Sequence, residues 1–179
     1  ILTDAQALLV VRQLARLHAR FWNKADFMRT YQWLAGPVRR LEDRLGAALA
    51  VPLMRRGLRC AGHLVPRKLH KLAVRYARQR ARAMRFLSSA PPTLVHHDCH
   101  PGNLFWNQTQ PGLLDWQLVR FGEGRSDVAY LRATSLTTET RRNHEARLVA
   151  VYSEELQENG ITEIEIEDLL QRYRAHVPY

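Results

Sequence analysis

The stretch "TLVHHDCHPGNLFWNQTQPGLLDW", residues 93–116, interrupts an otherwise helix-forming chain with three short apolar runs and a concentration of polar chemistry. "TLVHH" is β-prone, and "NLFWN" and "GLLDW" are two further strand candidates with the turn formers of "QTQPG" between them. A hairpin running from Asn103 to Asp115 brings its ends together. It sets an amide oxygen beside a carboxylate, with Asp98 on the loop just before. That grouping suits phosphoryl transfer, in which one carboxylate orients and deprotonates an attacking hydroxyl while hard oxygens hold the magnesium that bridges nucleotide phosphates.

The density of His96, His97, Asp98, Cys99 and His100 also raises metal ligation. Neighbouring residues of a strand point to opposite faces and do not readily close one tetrahedron, and no CxxC pair or HExxH helix accompanies them. A structural zinc site is therefore not expected. Cys99 has no base in a nucleophilic arrangement, so thiol chemistry is not expected either.

The flanks are helical. Thr3 and Gln6 form a capping box ahead of Leu8, Val11, Leu14, Ala15, His18 and Trp22, which predicts a helix over about 4–22, with His18 and Trp22 on its core stripe. Gly36 and Pro37 break the next segment, and "VRRLEDRLGAALAVPLM" predicts a helix that Pro52 interrupts or ends. Leu69, Leu72, Ala73, Tyr76, Ala83 and Phe86 recur at helical spacing until "SSAPP", which reads as a short turn rather than a domain linker. Beyond the hairpin, "SDVAYLRAT" predicts a short helix capped by Ser126. Residues 138–158 predict a longer one, with Leu148, Val151, Tyr152 and Leu156 inward and Gly160 ending it. Ile161, Thr162, Glu165 and Ile166 fit a staple and capping box for a last helix from Glu163, while Trp106 and Trp116 are expected to pack the hairpin against helices. The expected fold class is α+β and predominantly helical, with one small strand cluster.

Charge is unevenly placed. The 179 residues carry a formal +10; residues 1–97 hold 19 Lys or Arg against 4 acids, and residues 98–179 hold 8 against 13. Between Asp43 and Asp98 there is no acid, while Arg55, Arg56, Arg59, Arg67, Lys68, Lys71 and further arginines accumulate. Such a run attracts polyanions, or is simply a solvated helix face; no recognisable nucleic-acid module accompanies it. Two cysteines and no signal-like leader make a reducing, cytoplasmic setting the default, and no apolar run is long enough to cross a membrane.

"HHDCHPGN" followed by "LLDW" resembles the catalytic loop and metal-binding segment of the aminoglycoside phosphotransferase and choline kinase superfamily, which has a protein-kinase-like fold. His96, Asp98, Asn103 and Asp115 match its pattern HxDxxxxN, then a hydrophobic pair and Asp. "LARLHARFW" and "GRSDVAYL" are similar to members of the same superfamily, nearest its bacterial ecdysteroid kinase-like branch. The resemblance covers nearly the whole chain, 1–179, as a C-terminal lobe. It implies Asp98 as catalytic base, His96 as a brace for the loop, Asn103 and Asp115 as magnesium and nucleotide ligands, and Asp127 as structural support. His97 stands where a glycine is most common; His100 either meets substrate or fills space, the latter being preferred.

By the same resemblance the protein is an ATP-dependent phosphotransferase acting with Mg2+ on a hydroxyl of a small molecule. The expected partners are that substrate and a nucleoside triphosphate, not nucleic acid and not a membrane. The family's N-terminal nucleotide-binding lobe, with its phosphate-covering loop and lysine, has no counterpart in these residues, and no P-loop motif is present. The chain is thus expected to be a fragment, inactive in isolation. The alternative is a noncatalytic pseudokinase-like lobe or a basic helical module that binds polyanions or nucleic acid.

Overall fold

The computed structural model describes residues 1–35, 37–163 and 166–176. The fold is α+β and mostly helical, and it divides into two compact units, one of Ile1–Leu34 with Ala90–Tyr179 and one of Ala35–Ser89. Contrary to expectation, the boundary between them falls within "SSAPP", between Ser89 and Ala90, since α3 and α4 make their contacts chiefly with each other.

In the first unit, helix α1 (Asp4–Phe21) starts at the expected capping box and is followed by the short α2 (Ala25–Thr30). Thr3 Oγ1 accepts the Gln6 amide at 3.3 Å, and Gln6 Oε1 accepts the Thr3 amide at 3.0 Å. Its Ala7, Val10, Val11, Leu14, Ala15 and His18 are buried. They pack against α6 (Thr138–Glu158), whose Leu148, Val151, Tyr152 and Leu156 face inward as their spacing predicts. Polar groups reinforce this seam: Arg12 Nη1 and Arg16 Nε donate to Glu155 at 2.7 and 2.6 Å. Burial opposes ionisation of Glu155, but the two guanidiniums outweigh it and hold the carboxyl below its ordinary range.

Helix α5 (Arg125–Ser135) starts one residue before Ser126, with Gly124 rather than Ser126 at its cap. The Ser126 and Asp127 amides already bond to the Glu123 and Gly124 carbonyls, so Ser126 lies inside the first turn. Helix α7 (Ile166–His176) contributes Leu169 and Tyr173 to the core. Glu163 lies outside this helix, and the proposed capping box falls on Glu165, outside the described residues.

Among the described residues, four short strands make two antiparallel pairs. β1 (Thr93–Val95) pairs with β4 (Arg120–Gly122), and β2 (Leu104–Asn107) pairs with β3 (Gln110–Leu113). The expected turn is shifted: Asn107 pairs with Gln110, leaving Gln108 and Thr109 at the tip with Gln108 at φ 56°. Pro111 and Gly112 therefore belong to β3. Gly112 lies opposite Phe105, whose ring covers the space that a Cβ there would occupy. Trp106 packs on the core, whereas Trp116 is instead stacked edge-on against His96, with centroids 4.6 Å apart.

In the second unit, α3 (Pro37–Ala61) and α4 (Arg67–Leu87) pack together. The helix runs through Pro52, contrary to expectation. An interior proline costs a helix about 3 kcal/mol, a penalty that packing along a 25-residue helix can offset. The expected apolar stripe of α4 is only partly covered, since Leu69, Leu72 and Phe86 are all at least 40% exposed. Among the described residues no helix is long and apolar enough to cross a membrane.

Candidate active site

The site is built around one fully buried carboxylate. Asp127, in the first turn of α5, points away from its own helix and accepts the His96 amide at 2.7 Å and the His97 amide at 2.9 Å. His18 from α1 approaches the same carboxylate through Nε2 at 3.3 Å, while its Nδ1 meets the Tyr152 hydroxyl at 2.9 Å. Burial alone would make Asp127 harder to ionise. The His18 hydrogen bond and the loop amides reverse that, and its carboxyl lies below the ordinary range. His18 is thus the buried, satisfied histidine its core stripe suggested. Gly124 completes this knot: a Cβ there would come within 2.5 Å of the Tyr152 hydroxyl and 2.6 Å of His18 Nδ1.

The loop held by Asp127 turns sharply at His97, whose φ is 67°, a left-handed conformation that glycine adopts more readily. Histidine occupies it with its amide on Asp127 and with Nδ1 3.3 Å from Arg120 Nη2. Cys99 is buried beneath, its thiol donating to the Asp127 carbonyl at 3.2 Å; burial pushes that thiol well above its ordinary range. His96 spans two segments. Its Nε2 donates to the Leu114 carbonyl at 2.8 Å and its Nδ1 accepts the Asp98 amide at 3.2 Å, which sets the tautomer with the proton on Nε2.

Asp98 emerges from this frame partly exposed, with both carboxylate oxygens engaged. Tyr130 from α5 donates to Oδ1 at 2.8 Å, and Asn103 Nδ2 donates to Oδ2 at 3.1 Å and to the Asp98 carbonyl at 2.9 Å. Burial and the neighbouring carboxylate push the Tyr130 phenol up to about 12, so it remains a donor at neutral pH. His100 caps the short turn Pro101–Asn103 by accepting the Gly102 amide on Nδ1 at 3.0 Å, and its Nε2 lies 3.7 Å from Asp98 Oδ1.

Asn103 and Asp115 are joined through the hairpin backbone. The Leu114 amide donates to the Asn103 carbonyl at 2.8 Å, one residue before Asp115. Asp115 is exposed, sits at φ 57°, and accepts from Gln117 Nε2 at 3.3 Å. With its amide hydrogens directed at Asp98, Asn103 has its carbonyl oxygen left to offer a cation. Among the described residues no three His, Cys, Asp or Glu side chains form a metal-holding group. As donor types, one amide oxygen and one carboxylate are those that magnesium takes, commonly one or two protein oxygens with phosphate and water completing its shell. Tyr130 and the Leu114 carbonyl were not anticipated as parts of the site. Tyr130 lies three residues after Asp127, and only its helical phase sets it over Asp98.

A helical α+β lobe whose small hairpin and preceding loop gather these residues is a protein-kinase-like C-terminal lobe. The chain belongs to the phosphotransferase enzyme family (APH), which it matches over residues 2–176. No match was found among curated proteins or solved structures.

Proposed function

We propose that this lobe serves transfer of the γ-phosphoryl group of ATP to a hydroxyl of a small molecule, with Asp98 as the base and Asn103 and Asp115 as the residues that would hold Mg2+. The supporting observation is the tethering of Asp98. Tyr130 and Asn103 fix its carboxylate from two sides, yet it stays partly exposed, and each oxygen retains a lone pair for an acceptor hydroxyl. In the proposed step the acceptor oxygen bonds to the γ-phosphorus, the bond to the β–γ bridging oxygen breaks with ADP leaving, and the hydroxyl proton passes to Asp98. Bound magnesium supplies charge neutralisation on the phosphates.

His96 and Asp127 act on geometry. Asp127 orders the backbone on either side of the His97 turn, and His96 ties that loop to the strand end that leads into Asp115. His100 is assigned to turn capping rather than to substrate contact. We further propose that a second lobe outside these residues clamps the nucleotide phosphates.

The test is Asp98→Asn in the full-length protein. Turnover should be lost, with folding and magnesium–nucleotide affinity retained. Unchanged turnover with any accepted hydroxyl substrate would sink the assignment.

A further inference from the structure

The positive charge of this protein is concentrated in one unit. Residues 35–89 hold 14 Lys or Arg against two acids, Glu42 and Asp43, whereas the rest of the chain holds 13 against 15. Both acids belong to α3, so α4 carries none. Along the sequence the basic run reads equally as a solvated face or as an attractor of polyanions. The phase of the helix separates the two.

On one side of α4, Ala77 is buried, and Tyr76, Ala77 and Arg80 line the groove that the helix shares with α3. At about 100° per residue, Arg67, Lys71, Arg75, Arg78, Arg82 and Arg85 all fall within about 80° of arc on the opposite side. All six are exposed, and among the described residues none of them makes an ion pair. Arg80, on the packed side, is no part of this stripe. Spaced by three or four residues, the six cations run about 27 Å along the helix at about 1.5 Å per residue.

Such a stripe does not serve the helix itself, since like charges one turn apart repel, and it lies away from the packing with α3. Regular charge of one sign on a rigid rod matches a partner whose negative charge is also linear and regular. Five of the six cations are arginine, whose planar fork pairs with phosphate oxygens two at a time. A nucleic-acid backbone has that form. An interfacial membrane helix instead sinks an apolar face into lipid with its cations at the borders. Here the cations fill the middle, and exposed Leu72 and Phe86 lie only beside them. The stripe has no row of aromatic rings on which unpaired bases stack, which favours a duplex over a single strand. A helix also fits the major groove of B-form DNA, about 12 Å wide, and not the deep, narrow one of an RNA duplex.

We infer that the side of α4 opposite α3 binds the phosphate backbone of duplex DNA without reading its sequence, through Arg67, Lys71, Arg75, Arg78, Arg82 and Arg85. The inference does not rest on the function proposed above and is tested by binding alone.

The experiment follows the fluorescence anisotropy of two labelled DNA duplexes of unrelated sequence as the full chain is added, at salt from about 50 to about 200 mM. Both duplexes should bind equally, and more tightly than a single strand or an RNA duplex of the same length. The logarithm of affinity should fall against the logarithm of salt with a slope of about −5, as six phosphate contacts require. Arg75→Gln, Arg78→Gln and Arg82→Gln combined install good helix formers, so the variant should stay folded by circular dichroism. It should bind at least about tenfold more weakly at the lower salt, with a slope shallower by about 3. If this variant misfolds, Arg78→Gln alone should make the slope shallower by about 1. Taking as many exposed charges from the other unit, with Arg20→Gln, Arg142→Gln and Arg147→Gln combined, should leave the slope unchanged. The inference is overturned if both triple variants lose affinity equally, if the stripe variant binds undiminished, or if the unaltered chain does not bind DNA at about 50 mM salt. Tighter binding to the single strand or the RNA duplex, or binding confined to phosphatidylglycerol vesicles, would also overturn it.

Discussion

At the scale of single residues, the candidate site depends on groups whose roles come from burial. Asp127 is ionised in the core because three donors converge on it, two amides from the loop and His18. Removing one partner of such a buried charged group typically costs 3–5 kcal/mol. Asp127→Asn should therefore lower the unfolding free energy by about 2–4 kcal/mol in denaturant titration, since the amide retains shape but loses charge. Gly124→Ala should cost about 1–3 kcal/mol in the same assay, because the methyl group meets Tyr152 and His18, which cannot yield without disturbing Asp127. Tyr130→Phe leaves packing intact and removes a hydrogen bond to Asp98. In full-length protein it should reduce turnover about tenfold with little change in thermal stability. Asp98, Asn103 and Asp115 were singled out in the sequence by their spacing, and Asp127 by the family resemblance. Tyr130 and Gly124 were not, since nothing along the chain marks a tyrosine or glycine that matters only for what lies across from it.

At the scale of elements, local rules worked where the determinants are local. The capping box of α1 and the limits of α6 follow from side chains within one or two turns, and both appear as expected. Thr3→Ala should accordingly destabilise the protein by about 1 kcal/mol in chemical denaturation. The rules failed where packing intervened. Pro52 does not end α3, the hairpin tip is at Gln108 and Thr109 rather than across Pro111 and Gly112, and β4 was not foreseen. In each case a neighbouring element decides: α4 against α3, the Phe105 ring against Gly112, and β1 against the three residues of β4. A strand of three residues has too little alternation to be recognised alone.

At the scale of the whole molecule, the two units differ in what holds them. The first encloses the core of α1, α5, α6 and α7 and buries Glu123, Asp127 and Glu155 among cationic or donating partners. All three carboxyls are held below their ordinary ranges despite burial: Glu123 by His176 and Arg125, Asp127 by His18, and Glu155 by Arg12 and Arg16. A depressed folded-state pKa contributes stability that is complete above the unfolded value and disappears as pH falls through the folded value. Thermal midpoints should thus be flat near neutrality and fall progressively below about pH 4.5, the ordinary Glu value. Glu155→Gln should make that acid slope shallower. The second unit has no acid after Asp43 and leaves Leu41, Leu45, Leu49 and Leu53 about half exposed along α3. Its sequence revealed the basic run, and the structure supplied the apolar groove between α3 and α4.

The sequence by itself determined the helical α+β class, the order of the phosphotransferase motif and a hairpin within the stretch 103–115, because periodicity, capping and motif spacing are properties of neighbouring residues. The strands of that hairpin close at Leu104 and Leu113 and leave Asp115 beyond the returning strand. Tertiary structure alone decided that Asp127 serves the loop amides instead of its own helix, that His96 bonds to the Leu114 carbonyl, and that Tyr130 meets Asp98. Those contacts join residues 18 to 32 positions apart. Their geometry follows from how α5 and the hairpin are set against the loop, a placement enforced by the shared burial of groups that local sequence leaves unpaired.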